Sequence, residues 1–376
     1  MKNLESKNKI FYIIKYNLIF FLKCITSILF ILLFFFNLYN NNKYINYEKI
    51  SELSKKNIKT NKKFISILND FLKNEQILVD ENMNAHTTFK LGGPAKIFVK
   101  PKTVSQLIEI IQLCNKLKIY YFIMGNGSNL LVGDKGYYGV IIQIRENNFS
   151  ELKVIKEDDN NYLLIAGGGM LMKTLSIEAC LLSLTGLEDI IDIPGTIGGG
   201  IIMNASFKRT GLRKPLIKVK VLTPEGKIEE LTNEECEFYH RGSKLKDQKY
   251  IVIEATFKLK KGNQMIIQKT MTNNTKMRYE KQPMYFGSAG CFFIWNNTKY
   301  GSMHKKYEKS NLINYKVGDI MVYTYNIAFI VNLGKGTPSQ VMEIVTHIEN
   351  KLKEKYNIDL KREVIVIGSF NKFEKY

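Results

Sequence analysis

Two glycine-rich segments carry the residue types and spacing closest to ligand chemistry. Gly125-Asn126-Gly127-Ser128-Asn129 follows a β-rich run, Tyr120–Met124. Glycine permits positive φ and lets backbone N–H groups approach an anion closely. Ser128 and Asn129 add side-chain hydrogen-bonding groups. Alone, the pentapeptide reads either as a diphosphate cradle or as an ordinary tight turn. The second segment, Ile193-Pro194-Gly195-Thr196-Ile197-Gly198-Gly199-Gly200, places four glycines in six residues between apolar flanks. That density is hard to reconcile with helix or strand and suits a backbone wrapped round a large cofactor. Neither segment ends in Gly-Lys-Ser/Thr, and neither has the G-x-G-x-x-G pattern of a Rossmann unit. A dinucleotide held by a different fold is the expectation. The five cysteines (Cys24, Cys114, Cys180, Cys236, Cys291) form no C-x-x-C pair, and the four histidines show no metal-binding spacing. No metal site and no disulfide scaffold is expected.

The elements that must position these loops follow from periodicity. Ile97–Lys100, Tyr120–Met124 and Val140–Ile144 read as strands, and Val104–Leu117 has helical apolar spacing. This β-α-β alternation is an α/β signature. Tyr162–Ala166 is a strand ending in three glycines, and Met172–Ser183 is a helix. Val219–Leu222, Lys227–Leu231 and Tyr250–Lys258 read as strands, the first two joined by a turn at Thr223-Pro224-Glu225-Gly226. Met265–Met277 is a polar helix or connector. Ile327–Leu333, Pro338–Tyr356 and Val364–Ile367 form a last strand-helix-strand stretch.

The 376 residues, 45% of them apolar, suit two or three domains rather than a disordered chain. The 55 Lys and Arg against 35 Asp and Glu leave a formal charge of +20, which points to an anionic partner. Residues 1–75 carry 13 Lys against 5 acidic residues, and the remainder has no long basic block, so nucleic acid is not the expected partner. Residues 10–39 are strongly apolar but broken by Lys15 and Lys23, and Asn37–Lys63 is basic and acid-poor. The stretch reads either as a two-part organelle-targeting leader, plastid-like, or as a membrane anchor with a solvated linker. Residues 1–75 are set aside as leader or anchor, and the catalytic core is expected to be soluble.

The two glycine loops, in this order and about 70 residues apart, resemble the FAD-binding segments of the UDP-N-acetylenolpyruvoylglucosamine reductase (MurB) family. The likeness begins at Thr87-Thr88-Phe89-Lys90-Leu91-Gly92-Gly93. It continues through both loops with Met203-Asn204-Ala205, then Phe238–Ser243, Lys281-Gln282-Pro283, Ser288–Phe293, Phe329-Ile330-Val331-Asn332 and Arg362-Glu363-Val364. The spacing is similar to that of the family's shorter subclass. The resemblance implies an α+β, α/β fold: an FAD-binding module of the vanillyl-alcohol-oxidase (PCMH) type and a smaller α/β substrate domain. The expected divisions are 76–150 and 151–270 for two FAD subdomains and 271–376 for the substrate domain.

The resemblance also implies the chemistry. NADPH reduces FAD, hydride passes to C3 of the enolpyruvyl group, and a protein group protonates C2 to give UDP-N-acetylmuramate, a peptidoglycan precursor. The cofactor carries the hydride; the protein must supply a cation, an acid and a proton donor. Arg241 matches the family's substrate arginine, and a guanidinium suits a bidentate hold on carboxylate. Glu363 matches its C-terminal glutamate. Cys291 stands where the family usually has Ser; it is either a substitute proton donor or an inert buried thiol. Lys281 would contact diphosphate or carboxylate, or else is a solvated lysine, and Gln282 flanks it. Gly125, Asn126, Gly127, Ser128, Asn129, Pro194, Gly195, Thr196, Gly198, Gly199 and Asn204 would hold FAD. Departures concentrate in the substrate half: Ile294-Trp295-Asn296 after the aromatic pair, and Tyr323–Ala328 where the family often has Ser-x-x-His-Ala. They favour, as second readings, a catalytically silent FAD- or nucleotide-binding relative, or a flavoenzyme of this fold with another substrate. A monomer is expected.

Overall fold

The computed structural model describes residues 58–371 except Arg209 and Asn296. The apolar stretch 10–39, read as leader or anchor, lies outside the described residues. Among those described, no helix is long and apolar enough to cross a membrane.

The first described element corrects the boundary placed at residue 75. Ile58–Asn69 is a helix whose Phe64 and Leu68, with Leu72 just beyond, are buried in a core shared with Ile97, Leu107, Ile111 and Val140. Its Lys- and Asn-rich sequence hides an apolar face only two side chains wide. The segment is part of the folded unit, not of the leader.

A four-stranded sheet follows. Ile77–Asn82 runs antiparallel to Pro94–Val99, which is parallel to Tyr137–Gln143, which is in turn parallel to Tyr121–Met124. The helix Val104–Leu117 makes the crossover that parallel strands require. Its start is fixed by Thr103, whose hydroxyl accepts from Gln106 N, and its end by Lys118 in the left-handed region.

A second, antiparallel sheet is built on Ile251–Lys261, the longest strand described. Leu216–Leu222 and Asn161–Gly167 flank it, with Ile228–Thr232 and Leu152–Lys156 outside them. Its apolar face buries the helix Met172–Leu181 through Leu175 and Ala179. The polar segment expected near 265–277 is a full helix, Gln264–Lys281, capped by the Asn263 side chain.

The C-terminal part packs the helix Pro338–Tyr356 over a small sheet of Lys316–Val317, Ile320–Val322 and Ile330–Asn332. Thr337 and Gln340 close a capping box with Pro338 in the first turn. The chain then returns: Ile365–Ile367 pairs in parallel with Leu130–Val132. This pairing ties the end of the chain to the strand that leaves the first glycine loop, and so delivers Glu363 there.

Candidate active site

The two glycine loops meet. Asn126 Nδ2 donates to Pro194 O at 3.2 Å. A Cβ on Gly125 would lie 2.3 Å from Thr196 Oγ1, and one on Gly195 would lie 3.3 Å from Ser128 Oγ. Gly127 has φ +64, and a Cβ there would lie 2.1 Å from His86 O. Gly127 is therefore required by its positive φ and the close backbone of His86, and Gly125 and Gly195 by the side chains packed against them. Between Gly125 and Asn129 no backbone N–H donates to a protein acceptor among the described hydrogen bonds. A row of free donors on a turn is the concave anion-binding arrangement expected of a diphosphate cradle.

The second loop differs from its reading as irregular backbone. Ile197–Ile202 is a short helix, with Thr196 as N-cap accepting from Gly199 N at 3.3 Å. Glycine is a poor helix former, but packing overrides propensity here. A Cβ on Gly198 would lie 3.0 Å from Gly168 O, and one on Gly200 2.7 Å from Met172 Sδ.

Asn204, at φ +46, donates from Nδ2 to Tyr239 O at 2.8 Å. Ser243 Oγ donates to Ile202 O at 2.9 Å. These two bonds pin the tight turn Tyr239–Gly242 to the end of the glycine-rich helix. The turn carries Arg241 at φ +62, an uncommon conformation for a residue with a side chain. Lys246 Nζ supports it from below, donating to Arg241 O at 3.5 Å. Such conformations persist where surrounding contacts over-determine them, and they cluster at functional sites.

Arg241 Nε lies 3.2 Å from Glu363 Oε1, both side chains largely shielded. Glu363 is held by two backbone bonds: its N donates to Phe292 O at 2.9 Å, and its O accepts from Asn129 Nδ2 at 3.2 Å. Asn129, assigned to the cofactor loop, thus also fixes the acid. Burial raises the Glu363 carboxyl above its usual range, and Arg241 and Lys246 pull it part of the way back.

Cys291 bridges to Phe329, and the following Phe292 N donates to Ala328 O at 2.8 Å. Burial, with Glu363 adding to it, pushes the Cys291 thiol up to about 11, while Arg241 and Arg278 act in the opposite sense. The structure thus gathers Arg241, Glu363 and Cys291 into one electrostatic unit. Lys281 and Gln282 are not in it. Lys281 is exposed at the end of its helix, tied to the rest through its carbonyl, which accepts from Asn326 Nδ2 at 3.0 Å.

Sequence reasoning missed Lys246 and Arg278. Arg278 is 5% exposed, its Nε is buried with no hydrogen-bond partner, and its guanidinium lies 5.1 Å from the Phe207 ring. Burial lowers its pKa against the pull of Asp192 and Cys291. On a polar helix it looks like a surface residue; only its position one turn before Lys281 hinted otherwise. An orphaned cationic donor beside a thiol, together with a cradle of free N–H groups, fits a ligand rich in phosphate, carbonyl and carboxylate oxygens, as FAD and a carboxylated UDP-sugar are.

Comparison with known proteins agrees. Residues 95–232 match the FAD binding domain family, and residues 282–367 match the UDP-N-acetylenolpyruvoylglucosamine reductase C-terminal domain family. A UDP-N-acetylenolpyruvoylglucosamine reductase of Clostridium kluyveri is 35% identical over 301 residues, covering 80% of this chain and 96% of the relative. One of Alkaliphilus metalliredigens is 35% identical over 294 residues, covering 78% and 94%. The crystal structure of the Thermus caldophilus enzyme superposes with a TM-score of 0.62 at 28% identity, over 77% of this chain and 97% of that one.

Proposed function

The chain belongs to the UDP-N-acetylenolpyruvoylglucosamine reductase family, and on that premise we propose a division of labour among its residues. It is an FAD-dependent, NADPH-using oxidoreductase that reduces UDP-N-acetylenolpyruvoylglucosamine in peptidoglycan precursor synthesis. Its fold is α+β, an FAD-binding module of the vanillyl-alcohol-oxidase type followed by the family's C-terminal domain. Bound FAD supplies the hydride, after reduction by NADPH.

The backbone of Gly125–Asn129, with Pro194–Gly199 against it, cradles the cofactor's diphosphate. Arg241 grips the substrate carboxylate and stabilises the charge that grows on it as C3 is reduced. Glu363 aims that guanidinium. Cys291 holds the proton destined for C2, and a thiol held near 11 stays protonated at neutral pH. The thiolate left behind faces two guanidiniums, which limits the cost of forming it. Lys281 and Gln282 stand at the substrate end. The observation that carries this reading is the convergence of Arg241, Glu363 and Cys291 with the junction of the two glycine loops.

Half-reactions test it. Cys291→Ala should still be reduced by NADPH but should lose substrate-driven flavin reoxidation by about 10²- to 10⁴-fold, the usual scale of one acid catalyst. Cys291→Ser should retain it. Reoxidation by Cys291→Ala at the parent rate would remove Cys291 from the reaction.

A further inference from the structure

The formal charge of +20 has one concentration that the chemistry above leaves unused. It lies in the C-terminal part, between the short helix Met303–Lys309 and the second half of the helix Pro338–Tyr356. A cavity of about 550 Å³ there has Lys309, Ser310, Tyr315, His347, Lys351 and Lys355 in its lining. A smaller one of about 180 Å³ has Lys305, Lys306, Lys309 and Tyr356. Lys309 borders both, so the two cavities adjoin. None of these residues belongs to the site of Arg241, Glu363 and Cys291.

Helical spacing gathers the cations. His347, Lys351 and Lys355 are four residues apart in succession, on one face of their helix, and Lys305 and Lys309 are four apart on theirs. The walls are held in place. Tyr315 stacks on His347, with ring centroids 4.2 Å apart and planes 9° from parallel. Lys306 Nζ lies 4.4 Å from the centroid of the Tyr356 ring. Lys355 donates to Lys309 O and so ties the two helices together. Burial, and Lys351 after it, hold the His347 imidazole below its usual range, so at neutral pH it lines the cavity as an uncharged ring.

The protein itself does not use up these lysines. Lys305, Lys306 and Lys309 make no ion pair among the described residues. Glu354, also at the larger cavity, stands 3.6 Å from Lys351, an exposed pair of small worth. Attraction to a helix C-terminus accounts for Lys355, but Lys305 stands in the first turn of its helix, where the dipole opposes a cation. Two hydroxyls are unsatisfied as well. Ser310 Oγ, of a residue at the larger cavity, and Tyr356 OH, of one at the smaller, are buried with no hydrogen-bond partner in the protein. Unpaired cations beside unpaired donors suit anionic oxygens.

We propose that this groove binds a small soluble polyanion with at least two phosphoryl groups, one in each cavity about the shared Lys309. Lysine holds phosphate as a point charge. The larger cavity has the ordinary volume of a ligand site, about 300–1,000 Å³. Two anionic groups are called for because the lysines fall on both sides of Lys309. The site is separate from the reduction chemistry and does not depend on it.

The test uses the full chain loaded with FAD and titrates tripolyphosphate by calorimetry at low ionic strength, where such contacts are least screened. Lys309→Ala and Lys351→Ala, both at exposed positions, should each weaken binding by about tenfold, the scale of one lost charge-assisted contact. Lys309→Arg, which keeps the charge, should hold the affinity. Inorganic phosphate, which can fill only one cavity, should bind more weakly than tripolyphosphate. Lys116→Ala, at an exposed position on the helix Val104–Leu117, should leave the affinity unchanged, and so should Arg241→Ala and Lys281→Ala. An equal loss in Lys116→Ala would reveal a general charge effect and overturn the proposal. A loss in Arg241→Ala or Lys281→Ala would put the anion in the reaction site and do the same. So would an affinity that neither Lys309→Ala nor Lys351→Ala moves.

Discussion

Removing residues 1–75 should damage the fold, whereas removing only 1–53 should not. The described residues of the compact unit begin at Ile58, and the difference between the two truncations is mainly the helix Ile58–Asn69 and its exit. Phe64 and Leu68 are 0% exposed and Leu72 is 5% exposed. Burying each such side chain stabilises by about 1.5–3 kcal/mol, so their joint loss costs about 6 kcal/mol before any cavity penalty. A whole domain is typically stable by only about 5–15 kcal/mol. The cut also strips a polar partner, because Gln106 Nε2 donates to Phe71 O at 3.3 Å. Urea unfolding, followed by far-ultraviolet circular dichroism, should show chain 54–376 folded with a sharp midpoint. Chain 76–376 should have a midpoint several molar lower or none, at about 1–3 kcal/mol per molar of urea. Phe64→Ala within 54–376 should cost about 3–5 kcal/mol. Equal midpoints for the two truncations would refute the argument that this helix belongs to the core.

Three further outcomes follow from the site. Arg241→Ala should lower kcat/KM by about 10²- to 10³-fold, the scale of one lost charge-stabilising donor, while flavin stays bound; steady-state kinetics and the visible spectrum check both. Because the Cys291 thiol is held up to about 11, its donor form is lost only as pH rises through that value. The substrate half-reaction should therefore show no alkaline limb between about pH 7 and 10, whereas an ordinary thiol near 8.5 would give one; Glu363→Gln removes a raising charge and should move that limb down. Gly125→Ala would drive a Cβ to 2.3 Å from Thr196 Oγ1, so flavin affinity should fall at least about tenfold in a chain that still folds, as read by flavin fluorescence.

Much of the scaffold is legible in the sequence because its signals are local. Val104–Leu117 and Pro338–Tyr356 occupy the spans their apolar periodicity predicts, with Thr103 and the Thr337–Gln340 box marking their starts. The turn at Thr223–Gly226 does join antiparallel strands, Leu222 facing Ile228. What escaped depends on tertiary context. The helix Ile58–Asn69 looks like polar leader, since its few buried side chains matter only against Ile97 and Leu107. Ile197–Ile202 is helical despite its glycine content, and its glycines are there because the Gly168 carbonyl and the Met172 side chain leave no room for a Cβ at Gly198 and Gly200. The positive φ of Arg241 sits in a turn held to a distant segment, by Asn204 donating to Tyr239 O and Ser243 donating to Ile202 O, pairings that no local pattern announces. Arg278 is invisible for the same reason: nothing in a polar helix says which arginine turns inward.

The most direct measurement is the visible spectrum of purified chain 54–376 loaded with FAD, under anaerobic conditions. NADPH is added first, then UDP-N-acetylenolpyruvoylglucosamine. The account predicts bleaching of the bound flavin and then return of its absorbance as substrate is reduced. A flavin that bleaches and stays bleached, or a chain that binds no FAD, would contradict it.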